Sequence, residues 1–93
     1  MALSDTLKAI SDPIRREILE MLKVEKKSAG DIASKFNLTN ATVSYHLSQL
    51  KKADLIIETK DKNFIFYELN VSVFEDVLVW IYNLGGNKNE KEW

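Results

Sequence analysis

The 93-residue chain has no cysteine, one proline, three glycines and one histidine. Without thiols there is no disulfide scaffold, no thiolate metal site and no thiol redox sensor. Two of the glycines are the adjacent pair Gly85-Gly86, so no glycine-rich phosphate loop can be built. One histidine, His46, with scattered acids does not make a zinc site, which needs several converging ligands. No Ser-His-Asp or Cys-His arrangement assembles around it either. The longest strongly apolar run, Val77 to Tyr82, is far short of the roughly 20 residues of a membrane span. The N-terminus carries Asp5, Lys8, Asp12, Arg15 and Arg16 and lacks the apolar core and cleavage site of a signal peptide. These absences lead us to expect a cytoplasmic protein that is not an enzyme and has no cofactor, metal or membrane insertion.

What is present is the balance of a soluble globular domain, 45% apolar and 29% charged. The length suits one domain, which buries only about two thirds of its unfolded surface, so a partner subunit would help. The net charge of −1 argues weakly against nucleic-acid binding, but it is unevenly spread. Residues 1–63 hold 11 basic and 9 acidic side chains, residues 64–93 hold 2 and 5. The first two thirds can still present a basic face.

Leu3, Leu7 and Ile10 recur at helical spacing and predict a short first helix. Ser11 or Asp12 ahead of Pro13 predicts the start of a second, about Pro13 to Val24, with Ile14, Ile18, Leu19, Met21 and Leu22 as its apolar stripe. Glu25-Lys26-Lys27 reads as a loop. Ser28, with Asp31 three residues on, opens a third helix, Ala29 to Phe36. After the tight connection Asn37-Leu38-Thr39, a fourth helix runs from about Asn40 to Ala53. Then the period changes. "LIIETK" and "FIFYEL", separated by Asp61-Lys62-Asn63, predict a β-hairpin with Ile65, Tyr67 and Leu69 on one face. A last helix follows, about Val71 to Leu84, ended by Gly85-Gly86. Residues 1–84 form the domain, and residues 85–93 a flexible tail. The order is α-α-α-α-β-β-α, mainly α with a small β-hairpin.

Two short helices joined by a tight turn and followed by a hairpin describe a winged helix-turn-helix, whose second helix of the pair enters the DNA major groove. On "NATVSYHLSQLKKA", Val43, Leu47 and Leu50 face the core. Opposite lie Ala41, Tyr45, Ser48, Gln49 and Lys52, flanked by Thr42 and Ser44, with no acid among them. Asn and Gln can pair bidentately with adenine, Ser and Thr can bond several base edges, and a methyl can touch thymine. Thr39 and Asn40 sit at the helix N-terminus, which favours phosphate. Lys60, Lys62 and Asn63 at the hairpin tip, and Lys51 and Lys52 at the helix C-terminal end, suit backbone contact. His46 lies beside Val43 and Leu50. We read it as a packed, hydrogen-bonded boundary residue ahead of a metal ligand, a pH switch or a base reader.

The runs "AISDPIRREILEMLK", "AGDIASKFNLTNATVSYHLSQLKKADLI" and "FIFYEL" resemble the ArsR/SmtB family of bacterial winged-helix repressors. The resemblance spans roughly residues 7–69 without a gap. Its most specific parts are Asp12-Pro13-x-Arg15-Arg16-x-Ile18-Leu19 and Val43-Ser44-x-His46-Leu47-x-x-Leu50. Within the family the chain is most similar to the metal-independent, SdpR-like autorepressor type. The resemblance implies base reading by Asn40, Ala41, Thr42, Ser44 and Tyr45, with Gln49 on the same face. It also implies dimerisation through the terminal helices, an inverted-repeat double-stranded DNA operator that includes the chain's own promoter, and a sequestering partner protein. Some positions depart from the family pattern. Ile14 stands where Thr is common, Tyr45 where His is frequent, and the wing tip "KDKNF" lacks the usual Arg and Gly. The metal-sensing members carry Cys at the start of the third helix, or Asp and His on the last, and here neither region supplies a Cys or a His.

Val71, Val73, Phe74, Val77, Leu78, Val79, Trp80, Ile81 and Leu84 make the last helix apolar nearly all round, more than one small core can bury. Val73, Phe74, Val77, Trp80, Ile81 and Leu84, with Leu3, Leu7 and Ile10, are the expected homodimer interface across a two-fold axis. The expected function is a sequence-specific repressor. The alternatives are a winged-helix protein-interaction module without DNA binding and a repressor sensing a small ligand at the dimer interface.

Overall fold

A computed structural model describes residues 3–86 of the chain. Its elements are α1 (Leu3–Ile10), α2 (Pro13–Val24), β1 (Lys27–Ser28), α3 (Ala29–Phe36), α4 (Asn40–Lys52), β2 (Ile56–Asp61), β3 (Phe64–Leu69) and α5 (Val71–Gly85). The strands form one antiparallel sheet in the order β1-β3-β2. The fold is a winged helix-turn-helix.

Local chemistry sets most boundaries. Asp12 is extended and caps α2, its carboxylate accepting from the amides of Ile14 at 2.8 Å and Arg15 at 3.1 Å. Pro13 fills the first turn, where no amide partner is needed. Ser28 and Asp31 complete both halves of a capping box at α3. Asn37 takes a left-handed φ of 55° that stops α3, as Asn can. Thr39 caps α4 by accepting from the Thr42 amide at 3.1 Å.

Three boundaries differ from the sequence-based expectation. Lys27–Ser28, expected in a loop and a helix cap, is a short strand paired with β3 (Lys27 to Tyr67, Ser28 to Phe66). Two residues carry no periodicity, and the partner strand lies some forty residues away, so nothing local announces it. The hairpin turn is two residues, Lys62–Asn63, because Asp61 pairs with Phe64 at the end of β2. Lys62 holds a φ of 59° there, the region that favours glycine. At the C-terminus, α5 runs through Gly85, and Gly86 caps it with φ −105°, a conformation open to any residue. The rest of the expected tail, residues 87–93, lies outside the described residues.

Ile18, Ile32, Val43, Leu50 and Leu55 are completely buried and join α2, α3, α4 and the hairpin base. The buried stripe of α2 is Arg15, Ile18, Leu19 and Leu22. Ile14 and Met21, expected within it, are half-buried at its edges. Burying Arg15 rotates the helix so that i, i+3, i+4 and i+7 from Arg15 face inward. α1 docks through its small residues, with Thr6 and Ala9 buried and the Thr6 hydroxyl on the Ala53 carbonyl at 3.4 Å. In α5 only Val73 and Val77 are buried. The described residues span 54 × 25 × 22 Å with a radius of gyration of 15.5 Å. A compact domain of this length would have about 12 Å.

Burial alone would push the Asp12 carboxyl up, but the amides of Arg15 and Ile14 and the Arg15 charge outweigh it and hold it below the usual carboxylate value. A lowered folded-state pKa contributes stability that is present above the unfolded value of about 3.9 and is lost as pH falls through the folded value. Asp12→Ala is expected to cost about 1 kcal/mol in urea unfolding at pH 7. That gap should shrink below about pH 4, while Asp12→Asn, which keeps the acceptor without the charge, shows no such slope. A gap independent of pH contradicts the assignment.

Candidate nucleic-acid interface

The turn between α3 and α4 is three residues, and α4 is anchored from below by Val43, His46, Leu47 and Leu50, all buried. Asn40, Ala41, Ser44, Tyr45, Ser48 and Lys52 lie exposed on the opposite side, with Thr42 and Gln49 half-buried beside them. The expected reading residues are thus brought together on one helix that contains no acid. Thr39 is exposed at the N-cap, and its hydroxyl donates to Thr42 Oγ1 at 2.9 Å, leaving the Thr42 proton free. Ser48 spends its proton on the Tyr45 carbonyl at 2.8 Å and keeps an acceptor. Tyr45 is 56% exposed and its ring lies 5.5 Å from that of His46, tilted 58°.

The basic residues are less uniform. Lys52, Lys60 and Lys62 are exposed, as is Asn63 at the hairpin turn. Lys51 carries an ion pair to Glu58 on β2 at 2.6 Å, with both side chains substantially exposed. A pair so exposed contributes at most about 1 kcal/mol, so a phosphate can compete for Lys51. Glu58 and Asp61 put two carboxylates among these lysines. A groove of about 550 Å³ lined by Glu17, Met21, Lys35 and Phe36, among others, shares no residue with the α4 face.

His46 is 6% exposed and Arg15 is 7% exposed. The Arg15 guanidinium donates through Nε to the Ala9 carbonyl at 2.8 Å and through Nη2 to the Lys8 carbonyl at 3.3 Å. Its Nη1 lies 3.3 Å from His46 Nδ1. One side chain thus ties the C-terminal end of α1, where carbonyls lack helical partners, to α2 and to α4. The role of Arg15 was not read from the sequence. Its position in the stripe with Ile18, Leu19 and Leu22 was the available signal, masked by the rule that arginines stay outside.

The expected pairing surface is divided. Val73 and Val77 are buried within the chain's own fold, and Phe74 is half-buried against it. Beyond them Trp80, Ile81 and Leu84 are 41%, 51% and 64% exposed. On α1, Leu7 is exposed while Leu3 and Ile10 are half-buried.

The profile of the bacterial regulatory proteins of the arsR family matches residues 12–58. The chain is 43% identical over 81 residues to the transcriptional repressor SdpR of Bacillus subtilis strain 168, covering 87% of this chain and 90% of that one. It is 34% identical over 76 residues to the arsenical resistance operon repressor of Staphylococcus aureus, covering 82% and 73%. Its fold matches an ArsR-like transcriptional regulator from Rhodococcus sp. RHA1 with a TM-score of 0.87 over 96% of this chain and 82% of that one, at 22% identity.

Arg15→Ala is expected to destabilise the fold by about 1–3 kcal/mol in urea unfolding, because it leaves buried acceptors unpaired. A change within 0.5 kcal/mol, the scale of an ordinary surface substitution, contradicts the buried role given to this side chain.

Proposed function

The chain belongs to the arsR family of bacterial regulatory proteins, and on that premise we propose that it represses transcription as a homodimer seated on an inverted-repeat operator. That it is a DNA-binding transcriptional regulator follows from the family and from its relatives, which are regulators and not enzymes. The observation that carries the finer reading is the exposed, acid-free side of α4, held on a rigid core by a three-residue turn. Asn40, Ala41, Thr42, Ser44, Tyr45 and Gln49 read bases. Thr39, Ser48, Lys51, Lys52, Lys60, Lys62 and Asn63 contact the backbone.

Trp80, Ile81 and Leu84, exposed on a helix whose first half is already packed, support pairing with a second copy through α5 and α1. The regulator acts without a metal. The chain has no cysteine, its histidine is buried against Arg15, and no group of three or more His, Cys, Asp or Glu converges among the described residues. It works in the cytoplasm, and no helix among the described residues is long and apolar enough to cross a membrane. Control of its own promoter completes the proposal and rests only on the resemblance of the sequence to the autorepressor type.

Reading and positioning should fail differently. Tyr45→Ala is expected to lose about 1–3 kcal/mol on the preferred duplex and little on random DNA. Lys52→Ala should weaken both alike and reduce the log–log salt slope by about one. The measurement is affinity for both duplexes across a salt series. Equal losses by both variants on both duplexes rule out base reading by this helix, and no loss by either misplaces the interface.

The assembly has its own test. Sedimentation at micromolar concentration should give a dimer, and Trp80→Ala should weaken it by about 3–5 kcal/mol if the ring is core-like there. A wild-type monomer contradicts the pairing.

A further inference from the structure

His46 is the chain's only histidine, it is buried on the reading helix, and it touches an arginine. Arginine has five N–H donors and no acceptor, and it stays charged. At 3.3 Å, Nη1 of Arg15 can therefore be satisfied by His46 only through the lone pair on Nδ1. That requires a neutral ring with its proton on Nε2. A second proton, placed on Nδ1, replaces a hydrogen bond by two donors facing each other, with positive charge on both sides of a contact shielded from water.

Arg15 cannot easily withdraw, because its Nε and Nη2 are held by the carbonyls of Ala9 and Lys8. The displacement falls on His46 and on α4, which carries it. Among the described residues, the charged side chains of α3 (Asp31, Lys35) and β2 (Glu58, Lys60, Asp61), which also pack on α4, are exposed, and the ring's hydrogen-bond contact is with α2. α2 contributes Arg15 in direct contact and, at its cap, Asp12. The Asp12 carboxylate favours a charged ring, but it is engaged by two amides of α2. α1 contributes the carbonyls that hold Arg15, and α4 itself contributes Tyr45, whose ring is 5.5 Å away. Tyr45 is on the reading face, so a shift of His46 passes directly to a side chain aimed at DNA.

We propose that His46 is a positioning residue for DNA reading, latched by Arg15 in its neutral form, so that protonating the ring releases α4 and weakens operator binding. The proposal rests on the DNA-reading role of α4. Its sign sets it apart from ordinary electrostatics. Acidification makes a protein more positive and tightens its hold on phosphate, whereas the latch predicts the reverse.

The probe is the duplex selected from a random 20-base-pair library by the wild-type protein at pH 7.5. From pH 7.5 to 5.5 at constant ionic strength, affinity for this duplex should fall on the order of fivefold, at the lower end of coupled equilibria. Sedimentation should be unchanged. His46→Asn, which keeps an acceptor near Nδ1, should lose the fall, whatever its affinity at pH 7.5. Ring nitrogen shifts of the free wild-type protein at pH 8 should show the proton on Nε2. Affinity that is flat or rises on acidification overturns the latch, as does a fall that persists in His46→Asn or a proton found on Nδ1. Failure to select any preferred duplex at pH 7.5 overturns the DNA-reading role itself, and the latch with it.

Discussion

A buried guanidinium must be surrounded by acceptors or the fold pays a large desolvation penalty. In this protein the acceptors for Arg15 come from two other helices, two carbonyls at the end of α1 and a ring nitrogen on α4. Satisfying one side chain therefore sets where three helices meet. The same helix start carries the Asp12 cap, so the carboxylate that begins α2 and the cation that anchors it are three residues apart. The turn joining α1 to α2 is short because Ser11 and Arg16 also return to α1 carbonyls. α1 and α4 thus share a rigid joint with little freedom to move independently.

The hydrophobic core supports this joint without specifying it. Ile18, Ile32, Val43, Leu50 and Leu55 exclude water, and apolar contacts tolerate many small rotations. Directional bonds to a planar, fixed charge do not. What the core does specify is the side of α4 that is left outside. Val43, Leu47 and Leu50 claim one stripe, and the polar residues take the other by exclusion.

α5 stands in contrast. Its first half completes the core through Val73 and Val77, and its second half exposes Trp80, Ile81 and Leu84. A helix cannot keep that much apolar surface in water without a reason, and the elongated shape follows from it. The molecule divides its labour along the chain. Exposed polar helix surface lies on α4, and exposed apolar helix surface on α5.

Most of the local structure was written locally. Asp12-Pro13, Ser28 with Asp31, Thr39, and the change from helical to alternating period each act within a few residues, so capping and periodicity marked the helices and the hairpin to within a residue or two. The exposed, acid-free side of α4 was legible for the same reason, since a helix sorts its residues by angle alone. Three features came only with the tertiary structure. The strand Lys27–Ser28 exists because β3 offers an open edge. Lys51 meets Glu58 because α4 and β2 pack side by side. Arg15 turns inward because α1 ends, and His46 sits, where its donors can reach both. Each depends on groups distant in sequence brought within hydrogen-bond range, and no local pattern encodes a distance between elements that have not yet packed.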